Sequence, residues 1–394
     1  VTGRRRLSIA LILGSLSAFG PMSIDLYLPA LPVLAREFAV EDSSVQLTLT
    51  ACLAGLALGQ LLSGPYSDAL GRRRPLLIGL ALYTLASIGC ALAPSATVLT
   101  GMRLVQGLAG AAGLVIARAV VRDLFEGLEL ARFLSLLMLI SGIAPIVAPL
   151  IGSQLLRLFP WQGLFAALAA YGLVLLIACA FFLPESLAPG DRHTGGLSAT
   201  LAVMGGLLTD RRFVGYALTT GLIFAAMFSY ISGSPFVLQQ NYGFSPTLFG
   251  VAFGVNAFGI ALFGQLNRVL LSRWAPRRML LAGLVIALAG GVGLLVAVLA
   301  DLGLPVVLTS LFAVVASVGL VLPNATAMAL GGLPSQAGSA SALLGVLQFL
   351  LGAIAAPLVG ITGDGSAVPM AVLMCGLTVA GLLCFVVLTR GRVD

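Results

Sequence analysis

The sequence predicts an all-α membrane protein of twelve transmembrane helices in two six-helix repeats. Three observations predict it. Hydrophobic residues make up 59% of the 394 residues and charged residues only 9%, against about 25% in a soluble domain. So few polar groups do not cover the surface of a soluble fold. The apolar residues fall into runs of about the 20 residues that a helix needs to cross a bilayer. The second group of runs repeats the first: Val147-Ala-Pro-Leu-Ile-Gly152 returns as Ala355-Ala-Pro-Leu-Val-Gly360, and Arg73-Arg-Pro-Leu-Leu77 as Arg277-Arg-Met-Leu-Leu281.

The first run, 7–31, follows Arg4-Arg5-Arg6 and extends beyond a signal-peptide core, so it reads as an uncleaved span. The second, 44–66, leads into the polar island Gly64-Pro-Tyr-Ser-Asp-Ala-Leu-Gly-Arg-Arg-Arg-Pro75. That island is short enough only for a tight connector to the third span, 75–94. Its three arginines belong on the cytoplasmic side, and this placement sets the direction of every other span. Runs 96–117, 132–156 and 161–183 complete the first half. The longest polar stretch, 184–212, then divides an N-terminal six-helix half, 1–188, from a C-terminal half, 212–394, with 189–211 as a polar cytoplasmic linker. The second half holds 213–238, 246–271, 279–300, 304–326, 337–362 and 366–388.

All 21 basic residues are arginine. In this threading Arg4–Arg6, Arg72–Arg74, Arg118, Arg122, Arg132, Arg192, Arg211, Arg212, Arg268, Arg273, Arg277, Arg278, Arg390 and Arg392 lie inside, and Arg36 and Arg157 outside. Both termini are therefore expected in the cytoplasm, and the protein in the cell (inner or plasma) membrane. The formal charge of +7 is explained by these span-end arginines, without nucleic acid as a partner. Cys52, Cys90, Cys179, Cys375 and Cys384 lie inside apolar runs without ligand spacing and read as small core residues. The one histidine, His193, lies in the linker. No metal or cofactor is expected.

Two charges fall inside spans, Asp25 and Arg103, and ionisable groups there are costly and functional by default. Each lies about 10 Å below the outer surface by helical rise. The two are expected to pair, and a movement that joins or separates them would change proton affinity, which makes them the candidate proton-coupling site. Polar or soft residues within spans, Met22, Met138, Ser141, Asn256, Asn324 and Gln348, with Phe224 and Phe228, are the candidate substrate-binding residues. Met and Phe adapt to varied shapes. Few charges there would suit neutral or zwitterionic, partly apolar compounds. The repeat aligns Asp25 with Ser234, so the coupling acid is expected in one half only. Intramembrane enzymes are disfavoured. A second intramembrane acid for an aspartyl protease is missing, as is a histidine within a span for a metalloprotease or a serine protease.

The polar island resembles the signature loop between helices 2 and 3 of the major facilitator superfamily, a glycine, an acid, a glycine and a basic cluster. Arg103-Leu-Val-Gln-Gly107 resembles that superfamily's arginine–glutamine–glycine motif, and Gly142-Ile-Ala-Pro145 with Ala148-Pro149 and Gly152 its antiporter motif. Asp25-Leu-Tyr-Leu-Pro-Ala-Leu-Pro32, Arg118-Ala-Val-Val-Arg-Asp123 and Phe228-Ser-Tyr-Ile-Ser-Gly-Ser-Pro-Phe236 are similar to the bicyclomycin and chloramphenicol resistance (Bcr/CflA) group of twelve-span drug–proton antiporters.

The resemblance implies the major facilitator fold and a proton-coupled multidrug or antibiotic exporter working by alternating access. Its partners would be a small amphipathic drug-like substrate, protons and lipid, its energy source the proton gradient, and its form a monomer. It implies gating roles for Gly64, Asp68, Gly71, Arg72, Arg118, Arg122 and Asp123, with Asp68 latched to Arg118 or Arg122 when the cytoplasmic side closes. It implies a tight, bent seam at Gly142, Pro145, Pro149 and Gly152. Gly264-Gln-Leu-Asn-Arg268, the second copy of the loop signature, departs from it in having no aspartate. A proton-coupled metabolite transporter of the same fold is the alternative, and an intramembrane enzyme a distant one.

Overall fold

A computed structural model describes residues 3–192, 196–331, 333, 336–360 and 366–389. His193, Arg390, Arg392 and the last residues of the 337–362 run lie outside them. The helices are α1 (Gly3–Ser17), α2 (Phe19–Asp25), α3 (Leu31–Glu37), α4 (Asp42–Leu70), α5 (Arg73–Ala91), α6 (Ala96–Leu124), α7 (Gly127–Leu158), α8 (Gln162–Phe182), α9 (Gly196–Leu207), α10 (Arg211–Phe236), α11 (Pro246–Leu270), α12 (Pro276–Leu299), α13 (Leu304–Leu330), α14 (Ala337–Leu358) and α15 (Val368–Leu388). Among the described residues eleven helices are long and apolar enough to cross a membrane, and twelve when the bent pair at the N-terminus is one span.

Helix ends follow local chemistry. Ser95 caps α6 by accepting from Val98 N at 3.3 Å, Asp210 caps α10 by accepting from Arg212 N at 2.8 Å, and Ser245 caps α11 by accepting from Leu248 N at 3.2 Å. The first span, expected over 7–31, is bent by 43° between Ile9–Ser17 and Phe19–Glu37. Pro21 supplies no N–H to the carbonyl four residues back. That carbonyl, on Ser17, accepts from Ser141 Oγ of α7 at 3.2 Å. Pro29 and Pro32 similarly break the chain into a 3-10 turn, Leu28–Ala30, before α3. α6 runs seven residues beyond the expected span, so Arg118, Arg122 and Asp123 are helical.

α4 and α5 pack on α6 and α5 on α8 in the first half, as α12 and α11 pack on α13 in the second, and the halves meet through α4 with α14 and α7 with α11. Glycines set the closest approaches. A Cβ on Gly107 of α6 would overlap the Cys52 carbonyl of α4, the small-residue contact that lets membrane helices touch.

The apolar core has a forked shape. At the end holding the 28–37 segment and Pro246, one cluster joins both halves, from Tyr27, Leu31 and Phe165 to Tyr230, Phe249 and Met370. At the opposite, arginine-rich end it divides. Ile9, Leu80 and Val120 belong to one cluster, and Phe213, Leu284 and Val321 to another. The halves therefore share one core at the far end, while toward the arginine-rich end each keeps its own, with Leu61 of α4 packed against the second.

The linker holds a helix where a polar connector is expected. Met204 and Leu207 of α9 are buried with Phe213 and Tyr216, and Val203 packs beside them. α9 touches both α4 and α14. Of the cysteines, Cys52, Cys90 and Cys179 are buried as expected, while Cys375 and Cys384 are only half-buried, and all five are free.

Candidate functional site

Between the halves lies a cavity of about 460 Å³, walled by α1, α2, α4, α6 and α7 on one side and α10, α11, α13 and α14 on the other. Asp25 stands on its wall beside Pro21 and Ile24 and is 4% exposed. Among the described residues no cation pairs with it. Across from it the wall is largely aromatic. The Phe224 ring lies 4.9 Å from Phe228 and 5.4 Å from Phe349, and Tyr230, within electrostatic reach of Asp25, takes a 2.8 Å hydrogen bond from Asn256 Nδ2.

Four of the eight expected substrate residues line this cavity: Ser141, Phe224, Phe228 and Gln348. The others do not. Met22 packs into the far-end core. Met138 is 75% exposed on the outside of the bundle, since α7 presents only one face to the cavity. Asn256 is spent on Tyr230. Asn324 is buried and donates to Asn267 Oδ1 at 2.6 Å and to Leu320 O at 2.7 Å. Asn267 belongs to the departed loop signature, so in the second half an amide pair stands near where the first half has charges. Ser234, the expected counterpart of Asp25, is fully buried and is not on the cavity wall.

The expected Asp25–Arg103 pair is absent. Arg103 is 0% exposed and lies inside the N-terminal half. Its Nη1 donates to Gln106 Oε1 at 2.5 Å, Gln106 Nε2 donates to Ser87 Oγ at 2.7 Å, and the guanidinium stacks 4.2 Å from the centre of the Tyr27 ring. Among the described residues its Nε and Nη2 have no hydrogen-bond partner. The break around Leu28–Ala30 explains the separation. It turns Tyr27 inward to cover Arg103, with the Tyr27 hydroxyl 3.0 Å from Thr48 Oγ1, and leaves Asp25 facing the cavity.

The island between α4 and α5 is a charge cluster. Arg72 Nε donates to Asp123 Oδ2 at 2.8 Å and its Nη1 to Ser67 Oγ at 2.9 Å and to the Asp68 carboxylate. Burial pulls the Arg72 guanidinium down, and Asp123 and Asp68 more than offset this, so it is held above its ordinary value. Asp68 is thus bonded to Arg72 in this state and not to Arg118 or Arg122. Glu185, just past α8, takes the backbone N–H of Arg72 at 2.8 Å and of Arg73 at 3.2 Å. Burial pushes its carboxyl up, but these donors, Leu187 N and the Arg192 charge hold it below the usual value. Ser186 Oγ adds a 2.9 Å bond to Asp123 Oδ2. Gly71, at φ 90°, makes the turn that presents Arg72.

The far end is closed by bonds across the halves: Gln46 Nε2 to Ser232 O at 3.3 Å, Thr50 Oγ1 to Ala353 O at 3.1 Å and Gln239 Nε2 to Pro29 O at 3.3 Å. The seam expected along α7 is only partly tight. A Cβ on Gly152 would overlap the Leu26 carbonyl, whereas one on Gly142 meets nothing within 4 Å, and the same holds for Gly64. Gly142 faces the cavity beside Pro145, so it is a wall residue and not a packing contact.

The sequence reading missed Gln60, Tyr230, Thr326, Ser341 and Phe349 as wall residues. Gln60 carries the signal that Gln348 carries, a lone amide in an apolar run. The others are ordinary span residues whose facing depends on helix rotation. Arg118, expected as a gate residue, also lies on the wall.

Two pseudo-repeated six-helix halves around a cavity closed at one end define a secondary transporter, not an enzyme. The major facilitator superfamily model matches residues 11–357, and the chain belongs to that superfamily. It is 42% identical to an uncharacterized MFS-type transporter of Bacillus subtilis, over 100% of this chain and 98% of the relative. It is 30% identical to a bicyclomycin resistance protein homolog of Haemophilus influenzae, over 96% and 95%, and 28% identical to the multidrug resistance protein MdtL of Shigella flexneri, over 94% and 93%. These relatives agree with the Bcr/CflA-type motifs. The fold is similar to an inward-facing bacterial homolog of the human lysosomal transporter Spinster, with a TM-score of 0.74 at 15% identity over 99% and 96% of the two chains. It is also similar to the nucleoside transporter NupG, with 0.76 at 14% over 98% and 100%.

Proposed function

We propose that this protein is a proton-coupled exporter of small amphipathic drug-like compounds, working by alternating access in the cell membrane. The observation that carries this reading is Asp25: one acid on the wall of a largely apolar, aromatic cavity, without a cation partner among the described residues. A carboxyl there exchanges a proton with whatever fills the cavity, and drug and proton compete for the same surroundings. Coupling requires that difference between states. The arginine-rich end is assigned to the cytoplasm by the positive-inside rule, which puts both termini there too. The forked core then corresponds to a cytoplasm-open state that receives drug from the cell interior. Arg103, Gln106 and Ser87 form the adjoining polar track through α6 and α5. The names of the bicyclomycin and MdtL relatives support drugs as substrates.

The test is uptake into inverted vesicles against an imposed pH gradient, using chloramphenicol and a panel of antibiotics. Wild type is expected to accumulate drug uphill with drug-induced proton release, and Asp25→Asn to lose both while still binding neutral drug. Uphill accumulation by Asp25→Asn, with proton movement intact, would make Asp25 a structural acid and end this assignment.

A further inference from the structure

Both charged side chains on the cavity wall, Asp25 and Arg118, come from the N-terminal half. The repeat offset that carries Val147 onto Ala355 carries Arg118 onto Thr326, which lines the opposite wall. The C-terminal half therefore faces these charges with uncharged groups, Thr326, Ser341 and Gln348, and with the Phe224, Phe228 and Phe349 rings. A compound in this cavity meets charge on one side and rings on the other.

Among the described residues no carboxylate bonds to Arg118, and the charge acting on it is the like charge of Arg122. The nearby carboxylates of Asp68 and Asp123 are taken by Arg72. Leu114 and Val115 flank Arg118 on the wall, so a planar, five-donor cation stands over apolar surface with its donors available to the cavity. That fork matches a carboxylate or similar oxyanion through paired, charge-assisted hydrogen bonds.

The height of Arg118 suits this role. Gly20 of α2 and Leu114 of α6 are level, since a Cβ on Gly20 would lie 3.4 Å from Leu114 Cδ1. Arg118 is one turn from Leu114 toward the arginine-rich end, and Asp25 lies beyond Gly20 toward the closed end. At 1.5 Å per residue their backbones are about 13 Å apart along the axis. Repulsion between Asp25 and an acid held by Arg118 falls with that separation.

We propose that Arg118 recognises an acidic group on the transported compound. The cavity then selects amphipathic molecules that carry a carboxylate or comparable oxyanion on an aromatic body. The substrate role rests on the transport reading above, but the recognition itself is read without transport. Purified protein in phosphatidylcholine nanodiscs is titrated by calorimetry with 4-phenylbutyrate, its amide 4-phenylbutyramide, and 4-phenylbutylamine. Wild type is expected to bind the carboxylate about tenfold or more tightly than the amide, and the amine no better than the amide. Arg118→Gln is expected to bring the carboxylate-to-amide ratio to about one, and Arg118→Lys to keep part of it. The wild-type comparison needs no variant and stands if Arg118→Gln fails to fold. Adding phosphatidylglycerol tests the other source of oxyanions. If it displaces 4-phenylbutyrate competitively, the site is a lipid-headgroup site and the proposal is overturned. Absence of carboxylate preference in wild type, or its survival in Arg118→Gln, also overturns it. The preference without uphill export in vesicles keeps the recognition and refutes only the export reading. Export without the preference does the reverse.

Discussion

Gly152 and Gly142 lie on the same helix, in the same motif, and the structure predicts opposite responses to one added methyl. At Gly152 the new Cβ would overlap the Leu26 carbonyl oxygen and lie 2.9 Å from its carbon and 3.4 Å from Cα. Those are backbone atoms, so no side-chain rotation relieves them, and α7 or the 25–28 segment must retreat by roughly 1.6 Å to restore ordinary contact. At Gly142 the same Cβ points into open cavity. Both substitutions gain about 1 kcal/mol of helix propensity, so that gain cancels in the comparison. What remains is the overpacking cost, about 1–3 kcal/mol against Gly152→Ala. The displaced residue adjoins Asp25, so the same variant is expected to lose drug-coupled proton movement and to leak protons through the loosened seam. Thermal unfolding of both variants in one detergent, with proton retention by reconstituted vesicles, makes the measurement. Gly142→Ala should match or exceed wild type in Tm and hold the gradient, and Gly152→Ala should fall below it on both counts. Equal Tm and equal retention would refute the seam at Gly152 and the argument drawn from it.

Arg72→Gln leaves Asp123 and Asp68 without their cation and should destabilise the arginine-rich end by about 2 kcal/mol, seen as faster amide exchange in 64–75 and 118–125 while the far end is unchanged. Arg103→Ala strands Gln106 and empties the space over Tyr27, so it should abolish transport. Arg103→Lys keeps the charge without the stacked plane and should retain part of transport in the vesicle assay. Glu185, held below its ordinary carboxyl value, binds the linker to the α5 N-terminus. Because its folded value is the lower one, this contribution is complete above the unfolded carboxylate value and is lost as pH falls through the folded value. Proteolysis after 185–192 should therefore be slow at neutral pH and accelerate only in acid, as pH falls through the lowered folded value of Glu185, and Glu185→Gln should remove that pH dependence.

The class, the spans and the repeat are legible in the residues alone, because in a bilayer each crossing must satisfy its backbone internally and so appears as an apolar run. The sequence also marks the charges that matter, since a lone Asp25, Arg103 or Arg72 among apolar neighbours stands out by its cost. Where those charges point depends on how the helices bend and pack. Asp25 and Arg103 are level in depth, yet the prolines from Pro21 to Pro32 bend the first span so that one faces the cavity and the other is sealed under Tyr27. Helix rotation put Ser141, Gln348 and Gln60 on the wall and turned Met138 out and Asn324 into a helix contact. A membrane span exposes apolar side chains to lipid as readily as to its own core, so its hydrophobicity carries little information about which face turns inward. The linker helix stayed hidden for a different reason. Met204 and Leu207 are buried because α4, α10 and α14 supply the apolar surface that covers them, and the local sequence does not record that surface.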